Sequence, residues 1–178
     1  MTRAMTRLVS RFRRDESGNA TIEFVVVFPI FMFLIMAGTE LAMISARQVM
    51  LERAVDMTVR EIRLGTGQFP QHDEIKDMVC DNAALLPTCS QTLRLEMVRV
   101  DVENWVPLDP SPDCVDISQP VEPVREFTHG GTNDLMILRV CAKFKPFFPT
   151  SRIANDLSKD GGGYISVSST TAFVQEPS

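Results

Sequence analysis

The stretch RDESGNATIEFVVVFPIFMFLIMAGTELAM, Arg14 to Met43, decides the fold. A charged run turns abruptly apolar, and from Phe24 to Thr39 no side chain carries a charge. Those 16 residues would span about 24 Å as a helix, somewhat less than the roughly 30 Å apolar core of a bilayer. Ile22 before the run and Leu41 to Ile44 after it extend it to membrane length.

Charge is distributed to match. Arg3, Arg7, Arg11, Arg13 and Arg14, set against Asp15 and Glu16, give residues 1–18 a net +3, while the remaining 160 residues carry −8. Arginines just upstream of an apolar helix keep that end in the cytoplasm. The pattern therefore predicts a basic cytoplasmic leader (1–18), a membrane part over about 22–44, and everything beyond on the far side. A basic tip on an acidic body points away from nucleic acid as a partner. The alternatives are a buried core helix and a cleaved secretory signal. The arginines argue against the first. Against the second, the run starts late, no small-x-small site follows, and the pattern continues into further helix.

That continuation is SARQVMLERAVDMTVREIRLGTG. Leu51, Val55, Val59 and Ile62 recur at helical spacing, with Arg53, Asp56, Arg60, Glu61 and Arg63 on other faces. Gly65 and Gly67 supply a stop. One helix is expected from about Thr21 to Leu64, with 45–64 as an amphipathic stem, so the long-helix region is 19–64. Met36, Met43, Met50 and Met57 fall seven apart on nearly one face. This adaptable seam is expected to pack on the protein's own sheet in its outer part and on neighbouring helices in its inner part. Pro29 removes a backbone donor and crowds the Val25 carbonyl, so a kink or local unwinding is expected there.

Residues 65–178 read as a small α+β head. HDEIKDMVCDNAALLP predicts a short helix with Ile75, Met78 and Val79 on one side, ended by Pro87. TLRLEMVRVDVENW alternates through Leu93, Leu95 and Met97, then shifts phase to Val98, Val100 and Val102, which predicts a bulged strand. The five prolines in VPLDPSPDCVDISQPVEPV predict an irregular loop. DLMILRVCAKFKPFF gives a second strand with Leu138, Val140, Ala142 and Phe144 on one face. YISVSSTTAFVQ gives a third, with Ile165, Val167 and Phe173 in phase. The expected architecture is a long transmembrane-plus-stem helix packed on a small antiparallel sheet, pilin-like, with a disulfide-stapled head.

All four cysteines, Cys80, Cys89, Cys114 and Cys141, lie beyond the apolar run. An even count in an exported small domain argues for disulfides. Of the three possible pairings, Cys80–Cys89 with Cys114–Cys141 is favoured, the first closing a short loop and the second pinning the proline-rich loop to a strand. A zinc site would need His72 or His129, and no tight Cys-x-x-Cys exists, so no metal and no cofactor are expected.

Glu23 stands inside the mouth of the apolar run, where a carboxylate is costly: about 2.5–3.5 kcal/mol at a bilayer centre and less near an edge. It could snorkel to headgroups or favour the helix dipole. Its surroundings suggest more. Gly18 lies five places before it, with a basic leader upstream and an apolar helix downstream. This resembles the cleavage site of type IV pilin-like proteins. The block with Arg14, Asp15, Gly18, Ala20, Ile22, Glu23, Phe24 and an early Pro29 resembles, more closely, the amino-terminal segment of TadE/TadG-like pseudopilins of the tight-adherence (Flp) type IVb pilus system. The resemblance covers about residues 11–64. Phe24 stands where the major Flp pilin has tyrosine, and this chain is far longer, so the resemblance implies a minor component.

The resemblance further implies cutting after Gly18 by a prepilin peptidase, which leaves Asn19 as the new terminus. It makes Glu23 the mature fifth residue, paired with the positive amine at Asn19 of a neighbour. Glu23, Phe24 and Pro29 become assembly positions. The implied partners are other pilins through the helix, the peptidase, the inner-membrane assembly platform and lipid, with the head in the periplasm. The role would be priming, initiating or capping a pilus. The alternative is an uncleaved, single-pass tethered module that scaffolds a secretion complex. An enzyme is not expected. His72 and His129 stand in isolated positions, HGG at 129–131 has no Gly-x-Ser-x-Gly elbow, and KDGGGY lacks a phosphate loop's lysine and following helix.

Overall fold

The computed structural model describes residues 19–64, 70–109, 112, 114, 127–149, 151–157 and 162–177. The leader, Gly18, the Gly65–Gly67 stop and most of the proline-rich loop lie outside these residues. Helix α1 runs from Asn19 to Leu64, 46 residues, or about 70 Å. Pro29 lies within it, and the helix continues on both sides, so the local unwinding expected there is absent. Proline costs one backbone hydrogen bond, and the flanking turns each keep their own. The chain divides into two compact units at the Thr39–Glu40 bond.

In the first unit the apolar side chains of α1 are exposed, from Ile22 and Phe24 through Phe33 and Leu34. The helix is long and apolar enough to cross a membrane, and none of its most apolar stretch is buried within the protein. Thr39 contributes no free donor, because its hydroxyl bonds the Ile35 carbonyl at 2.8 Å.

The second unit is built around an antiparallel sheet of β1 (Leu93–Val100), β2 (Leu135–Phe144) and β3 (Ile165–Val174), in the order β1-β2-β3. Leu51, Ala54, Val55, Val59 and Ile62 of α1 form one core with the inner face of the sheet. That face supplies Leu93, Leu95, Met97, Met136, Leu138, Val140, Ala142, Phe144, Ile165, Val167 and Phe173. Period 3.6 on the helix meets period 2 on the strands, as alternation requires. β2 is central and is buried on both faces from Met136 to Phe144. Its outward Arg139 lies 3.7 Å from Glu96 on β1.

Two expectations fail here. β1 has no bulge: Leu93 to Val100 pair one for one with Ala142 to Leu135. The apolar phase shift arises because Val98 is buried on the other face, opposite Ile137. Both faces of this corner are covered, so two-sided burial imitated a slipped register. Val102 lies beyond the strand and is exposed. The methionine seam also does not face the sheet. Met57 is exposed, and the buried stripe runs through Glu40, Arg47, Leu51, Val55, Thr58 and Ile62.

Helix α2 (His72–Asn82) buries Ile75 and Val79, and Met78 packs beside them. The Gln71 N–H donates to the Glu74 carboxylate at 2.8 Å at the helix start. The helix ends at Asn82, ahead of Pro87, where the Asn82 side chain and the Ala83 N–H bond the carbonyls of Met78 and Cys80. Two short helices, α3 (Cys89–Thr92) and α4 (Arg152–Leu157), complete the unit. Disulfides join Cys80 to Cys89, tying α2 to α3, and Cys114 to Cys141 on the outer face of β2.

Candidate membrane and assembly site

The first candidate site is the start of α1. Glu23 is exposed, and among the described residues its carboxylate has no polar partner. Phe24 stacks on Phe28 one turn later, ring centroids 4.9 Å apart. Val25, Val26, Val27, Ile30 and Phe31 are all exposed around them. The helix thus presents a fully apolar surface with a single anion near its entry. Asn19 is its first residue. Gly18 lies outside the described residues, as does everything before it. Pro29 follows one turn after Val25 and gives no N–H to the helix ladder.

The second site was not found from the sequence. Glu40 ends the uncharged run yet is only 1% exposed. Its two carboxylate oxygens accept hydrogen bonds from the backbone N–H groups of Phe147 and Phe148, at 3.0 and 2.7 Å. One helical side chain thereby fixes a loop 107 residues away. Charge-assisted bonds of this kind are among the stronger ones available. Seven residues on, buried Arg47 lies over the Phe144 ring, 4.2 Å from its centroid. It also donates to the Lys145 carbonyl at 3.3 Å. Burial pushes the Arg47 guanidinium below its ordinary value, and the Glu40 carboxylate opposes that shift. Gln48 donates to the Ser168 carbonyl at 2.9 Å. The signal in the sequence was an acid at the end of an apolar run, read only as its boundary.

Histidines treated as separate loop residues come together. Phe127 stands edge-on between His72 and His129, centroids 5.5 and 5.0 Å away. His129 Nε2 lies 3.3 Å from the Pro70 carbonyl. The neighbouring Gly130 answers a packing need, since a Cβ there would come within 2.8 Å of the Met136 sulfur. Among the described residues no three of His, Cys, Asp and Glu gather as a metal site would require. An open groove of about 480 Å³ lies along the end of α1 and β3, crossed by the Arg63–Glu176 ion pair at 3.1 Å.

Residues 18–60, 43 of the chain's 178, match the model of the TadE-like protein family. The match begins at the glycine preceding α1 and ends within the stem, so it takes in Glu23, Phe24 and Pro29 together. No curated protein and no solved structure gives a significant match.

Proposed function

From the premise that residues 18–60 are TadE-like, we propose that this chain is a minor pseudopilin of a tight-adherence pilus, anchored in the bacterial inner membrane by α1 with its head in the periplasm. In this reading a prepilin peptidase cuts after Gly18. The mature chain then begins at Asn19, and Glu23 receives the amine of a neighbouring subunit. The role is structural rather than enzymatic: the chain helps to prime, initiate or cap the filament through helix–helix contact, with the assembly platform and other pilins as partners.

The observation that carries the reading is the surface of α1. Sixteen consecutive uncharged residues are followed by a compact head, and Glu23, the acid immediately before them, has no partner among the described residues. A carboxylate entering lipid is tolerated when it is paired or functional. Mass spectrometry of the protein recovered from its own cell tests the processing step. The expected mature chain starts at Asn19, and deleting the peptidase should restore the form that starts at Met1. A Met1 form that persists in the presence of an active peptidase would leave only a tethered, uncleaved module.

A further inference from the structure

We propose that the loop at Lys145–Pro149 is a second membrane contact, in which Phe147 enters the boundary between headgroups and acyl chains on the head's side of the bilayer. The proposal rests on the reading of α1 as a membrane-crossing helix.

Three observations carry it. The first is position. Glu40 is the first charged residue after the uncharged run, and the apolar stretch ends four residues later at Ile44, so Glu40 lies about one helical turn from where the chain leaves the apolar layer. Glu40 bonds directly to the Phe147 and Phe148 N–H groups, which sets the loop at the same depth.

The second is backbone satisfaction. The sequence is Pro146-Phe147-Phe148-Pro149. Neither proline has an N–H, and both phenylalanine N–H groups are bonded to Glu40. No backbone donor in these four residues is left to be stripped of water. The Lys145 carbonyl receives Arg47 and the Phe148 carbonyl receives the Ser151 N–H. A backbone donor that enters a poorly hydrated layer must be satisfied internally, and both donors of these four residues are.

The third is the exposed surface. Phe147 is 60% exposed, and the aromatic ring against it is Phe148, at 5.1 Å. Lys145, exposed, reaches over the Tyr164 ring at 5.4 Å. An apolar aromatic tip flanked by a cation and a tyrosine suits the interfacial layer of an anionic bilayer.

The test uses the full chain in bilayers containing anionic lipid, with the single tryptophan removed by Trp105→Phe. Phe147→Trp is the probe. Phe33→Trp, within the apolar run, is the reference. The lipids carry bromine either near the carbonyl ends or near the methyl ends of their acyl chains. The expected result is a blue-shifted Phe147→Trp emission, quenched more by shallow than by deep bromines, with the reference quenched more by deep ones. If the reference is quenched and Phe147→Trp is not, the loop faces water or a protein partner and the proposal fails while the anchor stands. If neither is quenched, α1 does not cross the bilayer and both readings fall.

Discussion

Glu23 and Glu40 bracket the uncharged run, and the protein treats them in opposite ways. Glu40 is buried and takes two backbone donors from its own chain, with a cation seven residues on. Glu23 is exposed on an apolar helix and has no polar partner among the described residues. The same side chain thus closes a fold in one place and leaves a valence open in the other. An ionised carboxylate removed from water needs partners. Where the chain supplies them the result is stability; in the proposed reading, Glu23 takes its partner from a neighbouring subunit.

Glu40→Ala should show the largest effect. It leaves the Phe147 and Phe148 N–H groups unpaired and Arg47 without its opposing charge, a loss of about 3–5 kcal/mol by analogy with broken buried charged pairs. Thermal unfolding of the detergent-purified full chain should register it as a marked fall in the midpoint. An unchanged midpoint would mean that the contrast between the two glutamates has no energetic content.

The disulfides come next and sharpen the contrast between the two units. In the chain-entropy view, Cys114–Cys141, closing a separation of 27, contributes about 3.5 kcal/mol. Cys80–Cys89, with a separation of 9, contributes about 2.7 kcal/mol. Replacing each pair by serines should destabilise the head in that order. The helical signal of the apolar run should survive in both variants, because its backbone bonds are all local. Loss of that signal along with the head would show the two units to be one cooperative structure.

Much of this contrast was legible in the sequence. Leu51, Val55, Val59 and Ile62 announced the buried stripe, and the alternation in β2 and β3 announced the core face, because each segment buries one face and periodicity reports that directly. At Met97–Val98 the same logic misled, since a strand covered on both sides loses its alternation without changing register. Glu40 was out of reach for a different reason. Its partners are the backbone N–H groups of residues 147 and 148, and backbone donors carry no signature in sequence. The two prolines of PFFP were the available hint that this loop handles its donors unusually. The evenly spaced methionines suggested a seam, but spacing fixes only which residues share a face, and the face turned toward the sheet is the neighbouring one.

Glu23→Ala is the smallest expected effect on folding and the most discriminating. The side chain is exposed and has no polar partner among the described residues, so stability should change by no more than about 0.5 kcal/mol. Membrane insertion should be unaffected or slightly eased, since a charge leaves the mouth of an apolar helix. Co-purification with pilus-type helices should nevertheless be lost. Glu23→Gln then separates two causes. Glutamine keeps a hydrogen-bond acceptor of the same length but not the negative charge. If the partner is a cationic amine in a poorly hydrated layer, Gln should fail nearly as completely as Ala, because attraction between full charges there far exceeds that of a neutral dipole. If Gln restores assembly, the partner is a neutral donor and the pairing with the Asn19 amine is wrong. If Ala itself assembles normally, the open valence at Glu23 is not what joins this helix to its neighbours.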